Sequence, residues 1–230
     1  MSAAKEQMET WTAAVRDVAA DRELRYEEVG GINPRDAPAA LCPGGSNRLT
    51  GQLAPDFWGA SCDAGEHEVG SFFSRAVLPG ALLAKAHMPD LTKVVPAFDV
   101  ESIEATPGEQ LKRRSSRRVQ FESIDFNRRF IATVPHDHDP VALRELFSPG
   151  FLDWASGIDR EVDFGASERQ LYFLWRLREL TRGELELALD TAGGLFRRVR
   201  AELEEEGDAT YPTGPWYAGL EHFPDVPGQV

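Results

Sequence analysis

RQLYFLWRLRELTRGELELALDTAGGLFRRVRAELEEE, residues 169–206, contains the two apolar patterns that decide the fold. Over 169–178 large apolar residues recur at every second position, which predicts a strand with one face buried. From 182 to 206 the apolar residues recur every three or four positions, which predicts one long helix. The alternating apolar positions of the strand are Leu171, Phe173, Trp175 and Leu177.

Two adjacent glycines interrupt the apolar stripe of this helix, at Gly193–Gly194. A glycine inside a helix costs about 1 kcal/mol relative to alanine. We interpret the pair as a place where the helix approaches the sheet closely, with a kink in the helix as the alternative.

The residues before the strand predict two short helices and a hairpin. Asp139–Pro140 and Ser148–Pro149 each combine a side-chain acceptor suited to an N-cap with a proline suited to the first helical turn. Residues 161–165 precede the strand at 169–178 by a short link, so we expect the two segments to pair as a hairpin.

FESIDFNRRF, residues 121–130, contains a change of apolar phase. Val119 and Phe121 are at odd positions, whereas the later apolar residues of this region are at even ones. One continuous strand cannot bury both sets on the same face. A β-bulge or a single helical turn begun by Ser123 would reset the phase, and we favour the turn.

Three polar residues of this stretch, Asn127, Arg128 and Arg129, are candidates for binding a ligand or partner. A turn lets both arginines reach water, and we expect one of them to pair with a local carboxylate. If the second strand began early instead, Arg128 would point inward and would require Asp125 or Glu122 as its partner. A structural role is the favoured interpretation.

The first half of the chain combines one helix with turn-rich strands. Apolar residues at helical spacing predict an amphipathic helix over 3–22 that packs on the protein's own sheet. Its stripe contains Met8, Trp11, Val15 and Val18. Predicted strands follow at 24–29, 47–53, 56–62, 69–78 and 92–98. Residues 81–88 fit either a helix or a strand, and Pro79 and Pro96 favour strand edges or ends.

KRRSSRR, residues 112–118, places five basic side chains in seven positions. It is either a docking patch for an anionic partner or a solvated hairpin connection between strands at 98–104 and 117–122. The run has no interleaved aromatic residues and the whole chain is acidic, so the connection is favoured.

The composition favours a soluble, cytoplasmic protein. The 230 residues carry a formal net charge of −13, which argues against nucleic acid as a partner because phosphate backbones attract basic surfaces. Neither a signal peptide nor an apolar run of membrane-spanning length is visible, so no membrane insertion is predicted. We interpret Cys42 and Cys62 as free thiols, because nothing else indicates an oxidising compartment.

PHDHDP, residues 135–140, is the best candidate for a metal site. His136 and His138 offer imidazole ligands, but the pair needs further ligands, for which His67 and His87 are the candidates. A polar loop is the favoured interpretation, and a metal-assisted hydrolase is the alternative function. The sequence has no GxSxG motif and no glycine-rich phosphate loop, so we predict no catalytic residue and no cofactor.

The motifs ES-x-DFNRRF at 122–130 and DP-x-ALRELFSPGFLDW at 139–154 precede the hairpin and the long helix. In this order and spacing, residues 117–205 resemble a family of uncharacterised, largely actinobacterial proteins known as a domain of unknown function. Many similar proteins carry transmembrane helices ahead of this region, where this chain has an amphipathic helix and turn-rich strands. The resemblance implies a fold and no activity.

These patterns predict a single α+β domain over residues 1–206, with a mainly antiparallel sheet of about six to eight strands. The sheet packs against the long C-terminal helix, and the N-terminal amphipathic helix is a second cover. Between sheet and long helix we expect a cavity lined by Phe, Trp and Leu, with Trp154 and Trp175 as candidate binding residues. Residues 207–230 form an acidic tail rich in proline and aromatic residues, docked on the domain or free.

The favoured function is therefore non-catalytic. We expect a soluble binding or protein-interaction protein whose partner is either an apolar small molecule or another protein.

Overall fold

The computed structural model of the protein describes residues 3–28, 47–54, 57–69, 76–88, 91–95, 97–103, 116–167 and 170–205. Its helices are α1 (Ala3–Asp21), α2 (Leu91–Val94), α3 (Ile124–Arg129), α4 (Pro140–Leu146), α5 (Pro149–Ser156) and α6 (Arg182–Glu205). Its strands are β1 (Arg25–Glu27), β2 (Arg48–Ala54), β3 (Phe57–Val69), β4 (Ala76–His87), β5 (Phe98–Ser102), β6 (Ser116–Val119), β7 (Phe130–Pro135), β8 (Val162–Ser167) and β9 (Gln170–Arg176).

The strands described form one sheet in the order β1-β2-β3-β4-β9-β8-β5-β7-β6. Every pairing described is antiparallel, which confirms the predicted α+β class with a mainly antiparallel sheet. The sheet has nine strands, compared with the expected six to eight, and the short strands β1 and β6 lie at its two edges. The predicted β8–β9 hairpin is confirmed and lies between β4 and β5.

One face of the sheet is covered by helices. Trp11, Val15 and Val18 of α1 are fully buried, which confirms the predicted amphipathic helix. Phe196 of α6 and Phe173 of β9 belong to the same apolar cluster as these residues. The two terminal helices and the sheet therefore share one core, which the burial of large apolar side chains stabilises.

The opposite face of the central strands is closed as well. Tyr172 and Leu174 form a second apolar cluster with residues of β4, and Arg176 is 5% exposed. Strand β9 is thus buried on both faces, whereas its alternating pattern predicted one buried face. The polar end of the second face can be buried because Arg176 forms an ion pair of 2.5 Å with Asp163.

Two strand predictions in the middle of the chain are corrected. Residues 92–94 form part of helix α2, not a strand, and Leu91 and Val95 are both buried one helical turn apart. Pro79 lies inside β4, a central strand, not at a strand edge or end. It is tolerated because the β3–β4 register shifts there and the β4–β9 pairing begins at Ala81, so no ladder hydrogen bond needs its nitrogen.

The predicted hairpin connection at 112–118 is wrong as well. Strands β5 and β6 each pair with β7 and lie on opposite sides of it, so they do not pair with each other as a hairpin. Alternating apolar patterns do not encode which strands become neighbours, so this order was not visible in the sequence. The positions 104–115, Cys42 and the tail at 207–230 lie outside the described residues, and the domain boundary at 206 stays a prediction.

Candidate functional site

An open groove of about 810 Å³ lies between α5, α6 and the loop at 157–160. We call it the α5–α6 groove and define it by Trp154, Trp175, Leu187, Gly194, Arg197 and Arg198. Both tryptophans that the sequence analysis proposed as binding residues therefore lie in the same groove. The groove lies mainly between α5 and α6, and strand β9 contributes only Trp175 to its lining.

Trp154 bridges from α5 to α6 because α6 has a glycine opposite it. A Cβ added at Gly194 would lie 3.4 Å from Trp154 Cζ2, so the indole packs against a part of the helix that has no side chain. One turn further along α6, the guanidinium carbon of Arg198 lies 4.9 Å from the indole centroid, a cation–π contact. Gly194 thus permits a close approach, but to α5 and not to the sheet.

The floor of the groove is fixed by a polar network. Trp175 Nε1 donates a hydrogen bond of 3.0 Å to Glu184 Oε1, and Arg160 Nε lies 3.5 Å from the same oxygen. The Glu184 side chain is only 10% exposed, so these two partners compensate a nearly buried charge. The orientation of Trp175 is therefore set before anything binds.

Two arginines give the groove a cationic rim. Among the residues that the structure describes, neither Arg197 nor Arg198 has a carboxylate within ion-pair distance, and on the opposite wall Asp153 also has no ionic partner. The other acidic residues of the groove are already paired, Asp190 with Arg22 at 2.7 Å and Asp159 with Arg160 at 3.4 Å. The charge left for a ligand is therefore net positive.

The start of α5 is tied to α6 by one serine. Ser148 Oγ accepts a hydrogen bond of 3.2 Å from Phe151 N, which confirms the predicted N-cap. The same hydroxyl donates to Glu202 Oε1 at 2.5 Å, and Ser148 N–H donates to Glu202 Oε2 at 3.3 Å. Because Glu202 lies on α6, these bonds hold the two walls of the groove together.

The end of α5 is held by Arg129. Its guanidinium donates to the carbonyl oxygens of Ser156 at 3.0 Å and Arg160 at 3.3 Å. The last carbonyls of a helix have no partner within the helix, so a guanidinium there satisfies and stabilises the helix end. Arg129 thus fixes the end of α5 and the loop at 157–160, which both line the groove.

The other two candidates from the 121–130 stretch have local partners. The predicted helical turn is confirmed as α3, in which Ser123 Oγ accepts from Phe126 N. The Asn127 side chain donates to the carbonyls of Phe121 and Ser123 and accepts from Phe121 N, so it fixes the entry to this turn. Arg128 lies 3.7 Å from the carboxylate of Asp125, which confirms the expected local pair. A ligand-binding role for these residues stays a prediction.

His136 and His138 lie in the turn after β7. Arg117 donates to the backbone carbonyls of both, at 2.7 and 2.6 Å, so the loop is held by its main chain. His87 on β4 and His67 on β3 are separated from β7 by three and four intervening strands respectively. Within the described residues no group of three or more His, Cys, Asp or Glu is placed to hold a metal ion.

The groove residues Leu187, Arg197 and Arg198 were not among the residues predicted from the sequence. Leu187 had a signal, because it is an apolar residue outside the apolar stripe of α6, and its side chain is 45% exposed. The two arginines had none, because arginines on the polar face of a helix are ordinary. Only the approach of Trp154 on α5 to Gly194 on α6 places them around a common ligand-sized space.

The fold and the groove define an α+β protein with an open groove that two tryptophans line. No protein-family model and no curated protein matches the chain. Among solved structures, the chain is similar to the crystal structure of the mycobacterial trehalose monomycolate transport factor A, TtfA, with a TM-score of 0.54 and 10% sequence identity. The match covers 84% of this chain and 93% of that chain. At this identity the similarity shows a shared fold.

Among the described helices, none combines the length and the apolar composition that crossing a membrane requires.

Proposed function

We propose that the protein is a non-catalytic binding protein that holds a partner protein in the α5–α6 groove. The observation that carries the proposal is the combination of an exposed apolar residue, an aromatic ring and free positive charge in one open groove. Leu187 is 45% exposed, Trp154 is half-buried, and Arg197 has no ionic partner among the described residues. Tryptophan and arginine are the side chains most enriched at interface hot spots.

A preformed groove supports binding because little ordering is needed when the partner arrives. Ser148 and Arg129 hold the two ends of α5, and the Trp175–Glu184 hydrogen bond holds the floor. Side chains that are already ordered lose less conformational entropy on association.

The shared fold supports a non-catalytic role as well. The similar structure is a protein named trehalose monomycolate transport factor A, a name that describes a transport role and not a catalysed reaction. We carry only this general role over to the present chain. The cytoplasmic location stays a prediction from the sequence.

A second candidate function is the binding of an apolar small molecule in the same groove. The volume of about 810 Å³ falls within the size range of small-molecule sites, roughly 300–1,000 Å³. The half-buried Trp154 would supply the aromatic surface for such a ligand, above Trp175, which is only 1% exposed.

Native mass spectrometry of gently purified protein distinguishes the two candidates. The wild type is compared with Arg197→Glu and with Arg144→Glu as a matched control. Arg144 is likewise exposed, makes no ion pair among the described residues, and lies on α4 away from the groove. Both variants change the net charge equally.

We expect a protein-sized mass increment in the wild type and in Arg144→Glu that is lost in Arg197→Glu. An increment of small-molecule size with the same dependence would favour the second candidate. A bare polypeptide mass in all three samples would contradict both candidate functions. A mass increment that is unchanged in Arg197→Glu would contradict them as well.

A further inference from the structure

We propose that the α5–α6 groove is also the docking site for the chain's own C-terminal segment, residues 207–230, so that an external partner must displace it. This inference rests on the proposed function, since both assign binding to the same groove. Residues 207–230 lie outside the described part of the chain.

The segment follows directly on α6, one wall of the groove, and is long enough to reach every part of it. Helix α6 ends at Glu205, and its groove residues extend back from Arg198 to Leu187. At 1.5 Å per helical residue, these residues lie about 10 to 27 Å from the end of the helix. Trp216 follows Glu205 by eleven residues, which span up to about 36 Å when extended. Trp216 can therefore reach every part of the groove without any change in α6.

The charges of the segment complement those of the groove. Residues 207–230 contain three acidic residues, Asp208, Glu221 and Asp225, and no lysine or arginine. The rim offers Arg197 and Arg198, which have no carboxylate partners among the described residues. In an acidic chain most surfaces repel such a segment, so a cationic rim next to α6 favours one docking position.

The apolar groups match as well. The segment contains Tyr211, Trp216, Tyr217 and Phe223, interspersed with four prolines. Proline-rich aromatic segments bind grooves lined by aromatic residues because their extended conformation is already restricted and loses little entropy. Trp154 and Leu187 provide the partly exposed apolar surface on which such a segment packs.

Tethering gives this contact a regulatory effect. A segment attached by a short link has an effective concentration in the millimolar range, so even weak docking keeps the groove largely occupied. The apparent affinity for an external partner then falls in proportion to the fraction of protein whose groove is free. A partner therefore binds best when the segment is displaced.

Photo-cross-linking in the full-length protein tests the inference. The photoreactive amino acid p-benzoylphenylalanine replaces Trp216, the protein is irradiated at low micromolar concentration, and the adducts are mapped by mass spectrometry. We expect adducts within one chain at residues 150–160 and 187–198. In an Arg197→Glu background their yield falls by about fivefold, as expected for reversal of a surface charge contact, and in Arg144→Glu it does not change.

Adducts elsewhere in the chain, or none, would overturn the inference. A mixture of isotopically labelled and unlabelled protein identifies adducts between two copies, and these would overturn it too, since the occupant would then be a second copy. The proposed function fails separately. If adducts form in the groove but Arg197→Glu leaves partner binding unchanged, only the proposed function is wrong.

Discussion

Replacing Ser148 by alanine removes the hydroxyl that caps α5 and bonds to α6, and it leaves the hydrogen bond from the backbone N–H of residue 148 to Glu202 in place. The hydroxyl caps α5 through Phe151 N and donates to the Glu202 carboxylate, and the residue is half-buried. Loss of an N-cap costs about 1 kcal/mol, and loss of a hydrogen bond to a charged group costs about 1.5 kcal/mol. We therefore expect the free energy of unfolding of Ser148→Ala to fall by about 2.5 kcal/mol. For a chain of this size, the Tm falls by about 5–10 °C.

Urea unfolding followed by circular dichroism measures this change, and a double-mutant cycle separates its two parts. In a Glu202→Ala background the acceptor on α6 is already lost, so Ser148→Ala should cost only the capping contribution of about 1 kcal/mol. The predicted coupling between the two sites is thus about 1.5 kcal/mol. A total cost below about 0.5 kcal/mol, or an equal cost in both backgrounds, would refute the inferred link between the groove walls.

Three further substitutions test the surroundings of the groove and the second face of the sheet. Gly165→Ala should destabilise the protein by about 3 kcal/mol in urea unfolding, because a Cβ there would lie 2.3 Å from a backbone oxygen; unchanged stability would contradict the observed packing. The pKa of Tyr172 is raised well above the usual value for a phenol. Burial is the main cause, and the carboxylate of Asp99, which accepts a hydrogen bond from the Tyr172 hydroxyl, adds to it. Folding therefore loses stability above about pH 10, where the unfolded phenol ionises and the folded one stays protonated, at up to about 1.4 kcal/mol per pH unit. The stability difference between wild type and Tyr172→Phe should accordingly shrink with rising pH in thermal unfolding scans, and a constant difference would refute this. Arg129→Ala should cost about 2 kcal/mol because two carbonyls lose their donor, whereas the exposed neighbour Arg128→Ala should change stability by less than about 0.5 kcal/mol; equal effects in chemical denaturation would count against the assigned role of Arg129.

Local features of the fold could be predicted from the sequence. The helix starts at Asp139 and Ser148, the turn begun by Ser123 and the stripe of α6 all depend on residues within a few positions of one another. An N-cap hydrogen bond and the apolar spacing of a helix both involve residues only a few positions apart, so a short stretch of sequence is enough to predict them.

Long-range features could not be predicted in the same way. The placement of β7 between β5 and β6, and of the β8–β9 hairpin next to β4, depends on packing between residues far apart in the chain. The burial of both faces of β9 likewise involves the ion pair of Arg176 with Asp163 on the neighbouring strand β8. Alternation alone contains no information on such partners.

The candidate site could be predicted from the sequence only in part. Trp154 and Trp175 could be proposed as binding residues from the sequence, because aromatic side chains offer a large apolar contact area. The groove that they share could not be predicted, because it depends on Gly194 of α6 facing Trp154 of α5. A glycine in a helix signals a close approach, but only the structure identifies the element that approaches.

Quantitative affinity capture tests the central assignment of partner binding to the α5–α6 groove most directly. Tagged wild type, Arg197→Glu and Arg144→Glu are produced at equal levels in the source cells, and the recovery of co-purifying protein is compared. We expect Arg144→Glu to match the wild type, and Arg197→Glu to recover about tenfold less of a specific partner, which corresponds to a loss of about 1.4 kcal/mol. Equal recovery by both variants would contradict the assignment of binding to this groove.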